Sequence, residues 1–528
     1  MVFVLALLPF YICWYLLGAL GVARHYFATS RAHQVAWLCW RASLSFGLGV
    51  ALSSLMVWLF LIWPHFFSGR VSSLDQALPR VLAAEIVLAI IAFAMSSRRA
   101  RKLSASKRNQ PLQSALTGDE PDIEYSNEYS KSGDKAASSD VSLQRKLMWA
   151  LFLSAVFSGV VFATATYSRR FGELDAWSIW NLHARFIYRG GAHWPDFFDD
   201  ALRWSHPDYP LLIPLTVAQG WQIVGSEWNG VPVALGLLFA IATTGFLMSS
   251  LWLLRGESQA LLAGIVLLGT PFFALNSAAQ TADVPLGFYF LASLVCLFLL
   301  QQSTDIAQKD IAQKRALVFL SGLLTGAAAW TKNEGSLWLV CMTVILVAHL
   351  YIVENQVPNP IRKWRAALAV LCIFIVAALP GAIAKITVGF FAPPNDLLGA
   401  QGASTIEKLR DFSRWKETLA SFVVTSQVFG LWACPSALFM WYYARSSGIK
   451  TKVWARQLWP SRVLPLMLCG FFGIFLITPQ PLEWHLTNSL NRLFLQLWPS
   501  TVFVFVFFLC AYAPKEVTAN AHRASSDD

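Results

Sequence analysis

The sequence predicts an all-α polytopic membrane protein, and three observations predict it. Of 528 residues, 56% are hydrophobic and 13% are charged, about half the charged fraction of an ordinary soluble domain. Apolar runs of about 17–25 residues recur along the whole chain, each long enough to cross a ~30 Å hydrocarbon core. Basic residues collect between those runs, where they act as orientation signals. The net charge of +11 is therefore no reason to expect nucleic acid. A soluble enzyme, a coiled coil and a secreted disulfide scaffold are excluded on the same grounds.

Thirteen spans are expected, near 2–22, 42–62, 79–97, 147–166, 231–253, 260–276, 284–301, 316–331, 336–353, 366–388, 419–443, 463–478 and 498–513. The first lacks a basic leader and a small-residue cleavage signal, so it reads as a retained helix. The first three spans form an N-terminal unit, 1–97. Segment 98–145 opens with Arg98, Arg99, Arg101, Lys102, Lys107 and Arg108 and continues through Ser, Asp, Glu, Gly and Lys. That composition cannot bury a core, which predicts a disordered cytoplasmic linker. A catalytic membrane module over 146–353 and C-terminal transmembrane helices over 354–528 complete the chain. The tandem DIAQK at 305–314 is a local duplication in a connecting loop. Eight Cys lie scattered in or beside apolar runs with no C-x-x-C pair, which argues against disulfides and metal sites.

Pro207–Gly225 decides the orientation. It is short for a span and carries three prolines. If it dips into the interface and returns, the downstream loops place 14 Lys and Arg inside and 7 outside; if it spans, the counts swap. The positive-inside rule prefers the first. Residues 209–225 are then a juxtamembrane or re-entrant helix in a large first outer loop, 167–230, with the N-terminus outside and the C-terminus inside.

Four polar features fall on that outer face. The first is the run from Gly172 to Trp194, with Glu173, Asp175, Trp177, Trp180, Arg185 and Arg189. Interfacial aromatics anchor helix ends, but a carboxylate there also reaches an acceptor hydroxyl as a general base would. The second is Asp283, two residues before Pro285. It is a good helix cap or an acid facing a shared cavity. The third is Lys332 in Thr331-Lys332-Asn333-Glu334-Gly335, either a compact cation for a phosphate or a snorkelling Lys paired with Glu334. The fourth is Pro481–Arg492, where Arg492 grips a phosphate or anchors the interface, and where His485 reads as interfacial. No segment has metal-ligand spacing, a Walker loop or a dinucleotide fingerprint. No cofactor is expected, and a divalent metal is left open.

In order along the chain, Glu173 and Asp175, Arg189-Gly190-Gly191 with Trp194, His206–Leu212 (HPDYPLL), Ala282–Leu286 (ADVPL) and Thr331–Gly335 (TKNEG) resemble the GT-C superfamily of integral-membrane glycosyltransferases. The branch most resembled contains protein O-mannosyltransferases and bacterial lipid A aminoarabinose transferases. The resemblance covers about 147–353. It implies transfer of a sugar, with inversion, from a polyprenyl-phosphate donor to a lipid, glycan or protein acceptor outside the cytoplasm. It places the chain in a bacterial inner membrane, among membrane lipids. By position it implies Asp175 as catalytic carboxylate with Glu173 beside it, and Asp283 as the acid of the second outer loop. Lys332, with Arg492, would sit at the donor phosphate. Trp177, Trp180, Arg185, His206 and Tyr209 would line the substrate. The family's acidic pair is usually adjacent, whereas Leu174 separates the two acids here, which leaves open which is the base. The competing class is a transporter or flippase of a lipid-linked sugar. It should show repeated halves, and none is evident in the sequence.

Overall fold

A computed structural model describes residues 7–20, 31–108, 130–302, 311–354, 360–395, 397, 403–430 and 459–509. Among them all regular structure is helical, with no strand. This follows from the solvent: in hydrocarbon every backbone N–H and C=O must find a partner within its own segment. Nine of the described helices are long and apolar enough to cross a membrane, or ten if one bent pair counts as a single span.

The remaining expected spans coincide with helices that fall short of that standard for separate reasons. Leu8–Leu20 (α1) has 13 described residues. The span expected at 260–276 is broken into Glu257–Leu268 and Pro271–Ala278, bent by 64°; Pro271 has no N–H with which to continue the first ladder. Ile311–Thr331 opens on Gln313, Lys314 and Arg315, which dilutes its apolar character. Phe412–Gly430 carries Arg414, Lys416 and Glu417 in its first turns, and the rest of that expected span, 431–443, lies outside the described residues. The expected linker begins and ends in helix. Leu74–Arg108 (α3) and Ser130–Ser168 (α4) run into it from either side, and 109–129 lies outside the described residues.

Two helices at opposite extremes of burial organise the rest. Asp283–Gln302 (α5) is the central post, with 94% of its most apolar window buried. It packs on Gly230–Arg255, on Ile311–Thr331 and on Leu482–Leu509. The span of α4, Ser142–Ser168, has none of its window buried and touches the bundle through Glu257–Leu268 and Pro271–Ala278. Helices Ile311–Thr331 (α6) and Pro360–Val388 (α7) cross closely because glycines remove the intervening side chains. A Cβ on Gly326 would run into the Ala378 backbone, and one on Gly381 into the Gly326 carbonyl. Small residues at a crossing are the usual device where lipid supplies no hydrophobic drive for association.

The N-terminal helices are knitted into this bundle. Tyr289 Oη donates to the Gly47 carbonyl at 2.8 Å, Trp330 Nε1 to Ser54 Oγ at 3.1 Å, and Trp58 Nε1 to Thr387 Oγ1 at 2.9 Å.

After α4 comes a π-helical turn at Ala176–Trp180, then Asn181–Arg189 (α8), two 3-10 turns and Leu212–Val224 (α9). The 13 residues of α9 extend ~20 Å at 1.5 Å per residue, too short to cross. Its Leu212, Ile213, Leu215, Val217, Ala218 and Trp221 are buried, against α8 and against Arg31–Ile62. The orientation has a direct test. Asp200, whose side chain is 77% exposed, should as Asp200→Cys react with an impermeant thiol reagent in intact cells. Ser126→Cys should react only after permeabilisation. The reverse pattern would invert the topology.

Candidate functional site

The site forms at one end of the bundle, where the central post begins. Asp283 is the first residue of α5 and is wholly buried. Its carboxylate is engaged by side chains from other elements. Oδ1 accepts from Lys332 Nζ at 2.9 Å and from Gln496 Nε2 at 2.7 Å, and Oδ2 accepts from Arg492 Nε at 2.9 Å and from Thr281 Oγ1 at 3.3 Å. A carboxylate at a helix N-terminus is also favoured by the backbone dipole. Asp283 is thus an internal acid around which two cations gather.

Lys332 sits between α6 and the helix Asn333–Glu354 (α10), with 4% of its surface exposed. Its ammonium contacts Asp283 Oδ1 and Glu334 Oε1, both at 2.9 Å. Burial alone would push its pKa down, but the two carboxylates more than offset this and hold it above the ordinary value. Lys332 is a charged, doubly paired cation. The tight α6–α10 turn depends on Gly335, where a Cβ would collide with the Ala328 carbonyl.

Arg492, on Leu482–Leu509 (α11), joins the first acid loop to this centre. Its Nη1 contacts Asp175 Oδ2 at 2.5 Å while Nε holds Asp283. The four polar features predicted separately therefore meet in one chain of contacts, Asp175–Arg492–Asp283–Lys332–Glu334. Gln496, one turn from Arg492, bridges Asp283 and Glu334 at 2.7 and 3.4 Å. Three carboxylates face two cations. Asp175 and Arg492 keep 26% and 24% of their side-chain surface exposed, so the open edge of the network is the Asp175–Arg492 pair.

The two neighbouring acids are separated by this geometry. Glu173 pairs with Arg169 and is 45% exposed, and its backbone N–H donates to the Ala279 carbonyl at 3.2 Å. Gly172, at φ 78°, lets the chain turn against that carbonyl. The turn sends Asp175 to Arg492 and leaves Glu173 outside the network.

Two non-glycine residues adopt left-handed backbone near the site, His206 (φ 51°) and Gln280 (φ 58°), a conformation that costs about 1–3 kcal/mol and persists only when the surroundings impose it. Gln280 is clamped: its Nε2 donates to the Arg170 carbonyl at 3.0 Å and its Oε1 accepts from Asn181 Nδ2 at 2.9 Å. His206 stacks on Tyr209 with ring centres 5.0 Å apart, and Tyr209 lies 5.6 Å from Trp180. Burial, then the charges of Glu334 and Asp208, push the Tyr209 phenol well above its usual range. Trp180 is fully buried, whereas Trp177 is exposed. Arg185 lies 3.4 Å from Glu227 and over the ring of Trp221. Of the residues expected to line a substrate, His206, Tyr209 and Trp180 form one stack, while Trp177 and Arg185 line a neighbouring groove. His485 bonds Thr478 at 2.8 Å and has no bond to the charged chain.

Three residues escaped sequence reasoning. Asp208 accepts from Asn333 Nδ2 at 2.8 Å and Asn395 Nδ2 at 2.6 Å, and its backbone carbonyl accepts from Lys385 Nζ. It ties the HPDYP segment to three other parts of the chain. Its signal was an acid between two prolines. Lys385 lies in the last turn of α7, at the end of an expected span. Gln496 was visible only as a polar residue spaced i, i+4 from Arg492, the spacing that places two side chains on one helix face.

His183, in α8, is fully buried, stacked on Phe197 at 4.5 Å and 3.2 Å from Ser205 Oγ. Burial, assisted by the charge of His206, lowers its pKa from 6.5 to about 3. The folded state thus keeps this ring neutral while the unfolded chain protonates near 6.5. The stability contribution is present above pH 6.5 and is lost as pH falls toward 3. His183→Gln should flatten the fall in unfolding temperature over that window; an unchanged pH slope would place its origin elsewhere.

Among the described residues no group of three or more His, Cys, Asp and Glu could hold a metal ion. Comparison with family models, with curated proteins and with solved structures matches none of them.

Proposed function

We propose that this chain transfers a sugar, with inversion, from a polyprenyl-phosphate donor to an acceptor on the outer face of the membrane, in a GT-C-like architecture. The observation that supports the reading most is the contact between Asp175 and Arg492 at the half-open edge of an otherwise buried charge network. It sets a general base beside a cation at a membrane boundary, where the acceptor hydroxyl arrives from water and the donor phosphate from lipid.

In this reading the acceptor oxygen attacks the anomeric carbon opposite the phosphate. The carbon–oxygen bond to the phosphate breaks, and the acceptor proton passes to an Asp175 oxygen. Arg492 takes the charge that develops on the leaving phosphate. Phosphate and Asp175 compete for this guanidinium, so donor binding loosens its hold on the carboxylate as the base is needed. Lys332 acts behind them, keeping Asp283 and Glu334 ionised so that Arg492 stays anchored. The stack of Trp180, Tyr209 and His206 offers the sugar an aromatic wall.

The test is turnover of a radiolabelled polyprenyl-phosphate sugar by the purified protein in nanodiscs. Release of the polyprenyl phosphate with label on an acceptor supports the transferase. Donor bound and moved between leaflets without cleavage would replace it with a flippase.

A further inference from the structure

The end of α4 carries a second feature that the transfer site does not use. Beside the charge network lies an open groove of about 720 Å³ lined by Tyr167, Ser168, Arg169, Arg170, Phe171, Gly172, Trp177 and Arg185. Its aromatic residues are exposed: Tyr167 at 77%, Phe171 at 60% and Trp177 at 48%. Below it the α4 span presents Phe152, Leu153, Val156, Phe157 and Val160 outward, a continuous apolar wall at helical spacing.

Charge is unbalanced at the top of that wall. Glu173 pairs with Arg169, and Glu227 is shared by Arg185 and Arg189. Arg170 has no carboxylate partner among the described residues and lies 5.9 Å from the Tyr167 ring centre. Four arginines thus face two acids. An anchoring arginine at a span end would need only one such group; an aromatic-rimmed groove with surplus positive charge above a lipid-facing wall has the shape of an amphiphile with an anionic head.

We infer that the groove between Tyr167 and Arg185 binds the anionic headgroup of a bilayer phospholipid, its phosphate on Arg170 and its acyl chains along the outward face of α4. The inference is independent of the glycosyl-transfer reading, because it uses neither Asp175 nor Arg492. The occupant is a lipid and not a free phosphate. The cation is exposed, where a soluble ion would be screened within a Debye length of about 8 Å, and only an attached chain gains from the wall beneath.

A photocrosslinking amino acid in place of Tyr167, in nanodiscs of phosphatidylcholine and phosphatidylglycerol, reads the occupant directly. Crosslinked phosphatidylglycerol should exceed its bilayer share by about fivefold, the equivalent of ~1 kcal/mol for one basic residue. Arg170→Gln should bring the ratio back to the bilayer composition, and Arg170→Lys should restore most of the preference. Inorganic phosphate should leave the ratio unchanged. Crosslinks in bilayer proportion in the otherwise unaltered chain would overturn the proposal, as would displacement by inorganic phosphate. So would an unchanged preference in Arg170→Gln at an unaltered unfolding temperature.

Discussion

Asp175→Asn is expected to lower sugar transfer by about 10²–10⁴-fold, the usual loss when a general base is removed, while Glu173→Gln stays within a few-fold of the unaltered chain. The asymmetry comes from the turn at Gly172. Asp175 reaches Arg492 at 2.5 Å, whereas Glu173 points to Arg169 at the surface. The amide keeps the size of the side chain and one oxygen for Arg492, so donor binding should survive in Asp175→Asn. Single-turnover rates and donor titration on the same preparations separate the two effects. Full transfer by Asp175→Asn with loss in Glu173→Gln would move the base to Glu173. Full transfer by both would remove this loop from the chemistry.

The second large effect is on stability. Lys332→Met leaves Asp283 and Glu334 facing each other in a buried site with one cation fewer. Removing one partner of a buried ion pair costs about 3–5 kcal/mol, because the other charge remains without compensation. The variant should unfold at a clearly lower temperature in detergent and accumulate poorly. Lys332→Met with Glu334→Gln should recover part of the loss, since Asp283 keeps Arg492 and the acid left without its cation is then neutral. Equal losses in the single and double variants would show that the pairing is not what holds this turn together. The sequence left Lys332 between a cation for a phosphate and a Lys paired with Glu334; with its neighbours known, its removal is expected to be felt first in folding. Arg492 is left as the cation with an open side.

Read alone, the chain settles what depends on neighbours in sequence. The helical membrane character follows from apolar runs that lipid forces into helices. The short, proline-bearing 207–225 stretch is set apart from the spans by its length, its prolines and the distribution of basic residues. Asp175, Asp283, Lys332 and Arg492 stand out because each is an ionisable residue beside an apolar run, where a charge is costly. The stretch 260–276 reads in the sequence as one ordinary span, because a hydropathy window cannot register the bend at Pro271.

What only the tertiary structure decides is pairing. Arg492 meets Asp175 across 317 positions of sequence and Asp283 across 209, separations at which no local pattern carries information. Which of Glu173 and Asp175 meets Arg492 turns on a glycine packed against a distant carbonyl. Lys332, already beside Glu334 in sequence, becomes doubly paired because α5 brings Asp283 to it. Asp208, Lys385 and Gln496 are unremarkable in their own segments and acquire roles only from the partners that packing delivers. Burial and charge compensation are properties of the assembled bundle: the cost of a charge is set by what surrounds it in space, and hydropathy along a chain reports only what lies beside it in sequence.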